Sequence, residues 1–499
     1  MAKKITALIL SAALIVLSLT ACSAQPQTQG EATTAAPVSS QAVIPNDDST
    51  FKLSYTQADS FDPFDAVTLN NQILTQLVFE SLFDLDEGFK ASLNIASSYE
   101  YTDKTTLKVN VLRGIKFSDG GELTAKDIKD SFDRAKGSDY WSGALGGISS
   151  CSVSSDTEII FYLEYPNSYA HNLLTFPIVS SNGNSDYPIG SGRYYFADEN
   201  GETVLKANIT DGFAPHLTTI HLENIAAEDS IDNAVNIGNI SFAFRDLSKN
   251  TSKKISANKK LVNMNNLVYL GVNNKSTITA NAYIRKAISL AIDRQTLAKS
   301  AYGGFAQAAS GAFNPQFELA KAEIIETTAD INAAKQALAQ SGASSLSLSI
   351  LVNGSNSERV TCAKLIKQSL EDIGFSVSIT QAQSDEQYFQ YIASESFSLY
   401  IGETKIPNDM SLYSFFEENG ATHYGIDTQT SETAQAYRDY MNEDAQLGAF
   451  LLAFSEEMPY IPLLYRKGMI CFSKAMNGDM QGTYFDCFAN IENWYFKSE

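Results

Sequence analysis

The sequence predicts an α/β protein of more than one domain, and three observations carry that expectation. From Leu346 the chain alternates short apolar strands with amphipathic helices. Each helix is closed or followed by a turn residue, which is the rhythm of βαβ units. The chain has 499 residues, more than one core serves, at roughly 100–200 residues per domain. Its composition is that of a packed globule, with 44% hydrophobic and 19% charged residues, so disorder or coiled coil throughout is excluded.

The elements follow in order. Phe51–Tyr55 alternates as a strand and runs into the polar segment Thr56–Pro63. Asn71–Phe83 carries Ile73, Leu74, Leu77, Val78 and Leu82 on a helical stripe. Thr106–Leu112 reads as a strand, and Ile115–Gly120 as a second strand entering an Asp-Gly turn. Thr124 is placed to cap a helix, with Asp127 returning the bond in a capping-box variant; Ile128, Phe132 and Ala135 form its buried face. Gly190-Ser-Gly192 turns the chain into a strand at Arg193–Phe196, and Leu267–Asn273 is another strand. Tyr283–Ala298 reads as one long helix. The strand Leu346–Val352, the helix Glu358–Ile373 stopped by Gly374, the strand Phe375–Thr380, the helix Asp385–Ala393 and the strand Phe397–Gly402 complete the pattern.

The first residues read as an address. Lys3 and Lys4 precede an apolar run from Ile5 to Leu19, which ends in Leu19-Thr20-Ala21-Cys22. The run is shorter than the roughly 20 residues of a spanning helix. Its end resembles a bacterial lipobox, so residues 1–21 are expected to be a lipoprotein signal peptide and Cys22 the lipidated residue. Residues 22–48 are rich in Ala, Thr, Ser, Gln and Pro and read as a flexible tether. The expected location is the cell membrane, lipid-anchored on the extracytoplasmic side.

Charge and motifs narrow the function. With 36 Lys+Arg against 57 Asp+Glu and a pI near 4.6, the chain does not suit nucleic acid. None of HExxH, GxSxG, Walker A or GxGxxG occurs, the four histidines are scattered, and neither catalysis, metal nor cofactor is expected. Cys151, Cys362, Cys471 and Cys487 form no CxxC; buried free thiols are the default reading, with a Cys471–Cys487 pair as the alternative.

The segment Leu112-Arg-Gly-Ile-Lys-Phe-Ser-Asp-Gly-Gly-Glu-Leu-Thr-Ala-Lys-Asp-Ile-Lys-Asp-Ser-Phe132 is similar to a signature of the family 5 solute-binding proteins of ABC importers, the oligopeptide, dipeptide and nickel binders. Asp62-Pro63 with Val78-Phe-Glu-Ser-Leu82, Gly190-Ser-Gly-Arg-Tyr194, and Ile284–Ile288 through Asp293-Arg294 resemble further family motifs. The resemblance spans nearly the whole chain after Cys22. It implies a periplasmic-binding-protein-like fold of type II (cluster C), with two lobes joined by hinge strands and an additional inserted domain. Mapped here, lobe one holds 49–66, 176–266 and 466–499, the inserted domain 67–175, and lobe two 267–465. Hinges are expected near Leu267–Asn273 and Ile461–Lys467.

The resemblance also implies the function: a monomeric, lipid-anchored receptor that captures a small solute, above all short peptides, and delivers it to ABC permease subunits. A peptide-sensing or adhesive surface lipoprotein of the same fold is the alternative. In peptide-binding members an Asp after a lobe-two strand pairs the ligand ammonium, and Asp409 is the nearest match. Glu403 and Lys405 end that strand on one face. Thr56 and Ser60 follow the first strand, Phe244 and Arg245 follow Ile240, and Arg245 has the geometry to fork a carboxylate. Tyr269, Asn353 and Tyr465 complete the candidate ligand-binding set.

Overall fold

The computed structural model describes residues 50–184, 186–210, 212–247, 255–322 and 325–497. Cys22, the signal and the tether lie outside the described residues, as does part of the lysine-rich run 249–260. Within the described body an 11-stranded sheet is the backbone of the fold. From one edge its strands are Ser376–Ala382, Ser347–Asn353, Leu399–Lys405, Asn258–Val272, Tyr460–Phe472, Phe242–Asp246, Lys52–Tyr55, Thr219–Asn224, Glu202–Ala207 and Tyr194–Glu199. The short strand Ala306–Ala308 pairs with Tyr460–Phe472 off this path. Chain order and spatial order differ throughout, so distant segments meet side by side.

Two long strands, Asn258–Val272 and Tyr460–Phe472, run antiparallel through the middle of this sheet. Asn258–Asn263 pair with Lys467–Phe472, and Leu267–Gly271 pair with Tyr460–Tyr465. The register breaks between Asn263 and Leu267, and again where Tyr269 meets Pro462. Pro lacks the ladder N–H and belongs at such an irregularity. On either side of the break lie separate apolar cores. One gathers Phe51, Leu53, Phe242, Phe244 and Trp494 with the early part of the chain. Two others pack on Leu267–Val272 with the later helices. We refer to the two sides as lobe one and lobe two.

Lobe two is the alternating part. Ser347–Asn353 lies parallel to both Ser376–Ala382 and Leu399–Lys405, which gives the expected βαβ crossovers. Its lining of Leu348, Ile350, Leu351 and Val352 is buried on both faces, as parallel strands require. The helices Ser357–Asp372 and Asp385–Ala393 cover it. Where Leu399–Lys405 meets the long strand, two glycines sit opposite two tyrosines: Gly402 against Tyr269 and Gly271 against Tyr400. A Cβ at Gly402 would lie 2.4 Å from the Tyr269 ring, and one at Gly271 2.0 Å from that of Tyr400. The missing side chains let the two buried tyrosine hydroxyls meet at 3.1 Å.

The signature segment folds separately, against a four-stranded antiparallel sheet of Ala96–Asp103, Thr106–Val111, Glu158–Leu163 and Ile148–Ser155. The Thr124 N–H donates to Asp127 Oδ2 at 2.9 Å, opening the helix Ala125–Gly137 as the sequence predicts, with Ile128, Phe132 and Ala135 buried. Other expectations are corrected. The strand expected at Ile115–Gly120 is a turn with one isolated bridge, Lys116 to Glu122. The helix expected over Tyr283–Ala298 is two helices, Ala282–Ala291 and Arg294–Ser300. Asp293 causes the break by capping the second helix, accepting the Thr296 N–H at 2.8 Å. The four described cysteines are buried free thiols.

Candidate functional site

Strand carboxyl ends from both lobes converge beside the register break of the long strands. On lobe two these are Asn353 and Glu403; on lobe one they are Thr56 and Asp246. Lobe two brings fixed charge. Glu403 is almost wholly buried and accepts from Arg359 Nη2 at 2.8 Å. The neighbouring Glu358 pairs with Arg466 of the second long strand, a residue only 1% exposed. Arg466 also donates to the Leu247 carbonyl of lobe one and lies 4.6 Å over the Tyr302 ring. Burial raises the Glu358 carboxyl above its ordinary range, and the Arg466 guanidinium pulls against that rise. Two Arg and two Glu therefore neutralise one another in the wall where the lobes join.

Lobe one brings aromatic groups beside Asp246. The Phe244 ring packs 5.8 Å from that of Tyr484. Lys405, leaving its strand in lobe two, donates to the Tyr484 hydroxyl at 2.8 Å with its ammonium 5.0 Å from the ring centre. This contact joins the lobes by one exposed cation and one phenol. Glu403 and Lys405 do share a strand end, but each has a separate partner, Arg359 and Tyr484.

Several candidates are committed elsewhere. Arg245 faces away from Phe244, as period two demands; it is buried with its Nε 2.9 Å from Asp232 and Nη1 3.7 Å from Glu228 of the helix Glu228–Ile237. Thr56 and Ser60 are tied into their own loop: Asn71 accepts the Thr56 N–H at 2.8 Å and donates to the Thr56 and Ser60 carbonyls. The Thr56 hydroxyl is buried with no partner among the described residues. Tyr269 stands in an aromatic core with Tyr400, Phe415 and Tyr460, and burial lifts its hydroxyl to about 12. Tyr465 donates to the Ala312 carbonyl at 2.9 Å in the same core.

Asp409 lies where lobe two meets the antiparallel-sheet domain. Its carboxylate accepts the Ser411 N–H at 3.0 Å, and the Asn167 amide donates to its carbonyl at 3.1 Å. Asp409 is 2% exposed, its Oδ2 has no partner among the described residues, and burial pushes its pKa up to about 7. It is covered by Tyr165, whose ring stacks 4.8 Å from that of Tyr413. An ordinary ammonium-pairing carboxylate would stand open at a cleft; this one stands under a lid of side chains.

The sequence reading missed Arg359, Glu358, Arg466, Tyr302 and Tyr484. A signal existed for the first two, since they begin the helix that follows a parallel strand. Nothing local marks the others.

A family model described as "Bacterial extracellular solute-binding proteins, family 5 Middle" matches residues 90–422. The chain belongs to this family. As a family 5 solute-binding protein it is a binding protein and not an enzyme. The glutathione-binding protein GsiB of Salmonella choleraesuis (strain SC-B67) is 25% identical over 287 residues, 52% of this chain and 55% of GsiB. The chain thus spans about half the length of the curated relatives it matches first. An ABC transporter substrate-binding protein from Sinorhizobium meliloti superposes with a TM-score of 0.72 at 19% identity, covering 90% of this chain and all of that one, 100%. The oligopeptide-binding protein AppA from Bacillus subtilis, solved with a nonapeptide, gives 0.58 at 18% identity over 90% and 99% of the two chains. NikA from Brucella suis, solved with Fe(III)-EDTA, gives 0.67 at 18% over 89% and 100%. At these identities the likeness shows a shared α/β periplasmic-binding-protein fold with an extra antiparallel sheet domain.

Proposed function

We propose that this protein is the receptor of an ABC importer, lipid-anchored through Cys22, that captures a short peptide or other small solute between its lobes and presents it to a membrane permease. The observation that carries the reading is the pair of long strands shared by both lobes. Their register breaks between Asn263 and Leu267, so bending concentrates there while the ladders on either side stay intact. Closure then brings Lys405 of lobe two onto Tyr484 of lobe one and buries the solute against the Arg359–Glu403 wall. Water leaves the cleft on closing, which strengthens each polar contact to the solute. Glutathione, named for GsiB, and the nonapeptide bound by AppA from Bacillus subtilis support peptides as the solute class.

Among the sequence candidates, Asn353, Glu403, Lys405 and Phe244 are the ones we assign to the solute. Arg245, Tyr269, Tyr465 and Asp409 we assign to holding the walls, and Thr56 and Ser60 to shaping the lobe-one rim. Native mass spectrometry of protein purified gently from its own cells tests the reading: a retained, heterogeneous set of short peptides is expected. A retained sugar or metal ion, or no solute at any stage, would overturn the peptide assignment.

A further inference from the structure

The antiparallel-sheet domain touches both lobes, but in two different ways. With lobe one it shares an apolar core: Leu107, Phe132 and Phe161 of the domain lie in one buried cluster with Phe51, Leu53 and Phe242. Parting them would open that core to water. With lobe two the domain shares a rim of side-chain hydrogen bonds around one apolar plug. The weaker joint yields when the lobes separate, so the domain travels with lobe one.

The plug is Phe89, at the turn between the paired strands Phe83–Leu85 and Ala91–Leu93. It is fully buried in the cluster that holds Ala312, Phe313 and Phe317 of lobe two. Its φ of 63° lies in the left-handed region, a costly conformation for a bulky residue that persists only where the surroundings hold it. Asn172, 1% exposed, does part of that holding. Its amide donates to the Phe89 carbonyl at 2.9 Å and to the Asn408 carbonyl of lobe two at 3.1 Å.

The rim is the stretch 165–172 with Lys104 beside it. Ser168 Oγ lies 2.8 Å from both carboxylate oxygens of Asp444. The Tyr169 hydroxyl donates to Glu318 Oε1 at 2.8 Å, with its ring 4.9 Å from that of Phe317. Lys104 donates to the Asn442 carbonyl at 2.8 Å. Ser168, Glu318 and Asp444 are exposed, so water replaces each partner as the joint opens and the contact can re-form. None of these residues belongs to the charged wall or to the Lys405–Tyr484 contact.

We infer that residues 165–172, with Phe89, form a latch between the antiparallel-sheet domain and lobe two that shifts the protein toward its closed form without touching the solute. The inference rests on the capture of a solute between the lobes proposed above. Each tie exists only while the lobes are together, so it favours closure alone, and a larger closed fraction tightens solute binding.

Small-angle scattering of the chain from Cys22 onward, dialysed free of solute, reads the closed and open populations. Asp444→Ala with Tyr169→Phe removes two rim ties and leaves the Tyr169 ring in place. The closed-to-open ratio should fall by about two- to tenfold per tie, with a larger radius of gyration. Asp444→Asn keeps an acceptor for Ser168 and should scatter as the parent does. Unchanged circular dichroism in each variant separates opening from unfolding. The proposal falls if the double variant scatters like the parent, or if Asp444→Asn opens the protein as far as Asp444→Ala. Scattering without solute does not depend on what the cleft binds. Absence of retained peptide in native mass spectrometry would overturn the peptide assignment and leave the scattering shift in place, whereas unchanged scattering beside retained peptide would overturn the latch alone.

Discussion

The two walls that meet at the long strands are built on opposite principles. Lobe two fixes ions and neutralises them internally, Glu403 by Arg359 and Glu358 by Arg466. Lobe one presents aromatic rings, with Phe244 and Tyr484 at the joint and the charged strand end Asp246 beside them. Asp409 sharpens the contrast. It is more deeply buried than either glutamate, and what opposes its raised pKa is hydrogen bonding, from the Ser411 N–H and Asn167 among others, not a paired cation. Removing ions from water is expensive, and a partner in good geometry offsets it. The difference teaches that lobe two offsets the cost of its buried charges where they are paired and is sensitive to pH at Asp409, where no cation pairs the carboxylate.

The largest break should come from Arg466→Met. It strands Glu358 in a buried site, and losing one member of a buried pair costs about 3–5 kcal/mol. Denaturant unfolding should show a loss of that order, and the double variant with Glu358→Leu should recover most of it. A single variant that unfolds like the parent would show the pair to be idle.

Next in size is the pH response of Asp409. Its carboxyl holds its proton up to about 7 in the folded chain, against 3.8 ordinarily, because burial disfavours the ion. The native state therefore binds more protons than the unfolded state between these values. The contribution is fully present below the ordinary carboxylate pKa and is lost as pH rises through about 7. Asp409→Asn removes the ionisation while its side-chain oxygen keeps the Ser411 N–H. At pH 8 the variant should be the more stable by about 2–4 kcal/mol, and near pH 4 the gap should close. Parallel stability curves across that range would place the origin of any difference elsewhere.

What the sequence disclosed follows from range. The capping box at Thr124, the Gly374 stop and the βαβ alternation from residue 346 are local patterns, and the structure contains all of them. The helix break at Asp293 is local too, but continuous apolar spacing on both sides masked a good cap residue. Long-range pairing left no local trace. Glu403 stood out because it ends a strand, yet its partner Arg359 lies 44 residues earlier. Tyr484 reaches Lys405 across 79 residues of chain and carries no pattern of its own. Arg245 misled because an arginine on a strand shows its type and not its face until the partner helix is placed.

Two smaller effects probe the seam between the walls. Gly402→Ala should cost about 1–3 kcal/mol, because its Cβ would enter the Tyr269 ring in a core with no slack. The Tyr269→Phe partner change should leave that clash in place, since the nearest ring atom is the one bearing the hydroxyl.

Lys405→Ala should do least to the fold. The ammonium is exposed and its contact is one hydrogen bond and one ring, so thermal stability should stay within about 0.5 kcal/mol of the parent. Its effect belongs to closure. If Lys405 and Tyr484 clasp the two lobes, Lys405→Ala should speed solute release, Tyr484→Phe should speed it by less because the ring stays under the ammonium, and the double variant should release no faster than Lys405→Ala. Stopped-flow release of a retained peptide from Lys405→Ala, Tyr484→Phe and the double variant measures this directly. Additive release rates would mean that the two residues act on the solute separately, and the clasp would have to be sought among other residues of the charged wall.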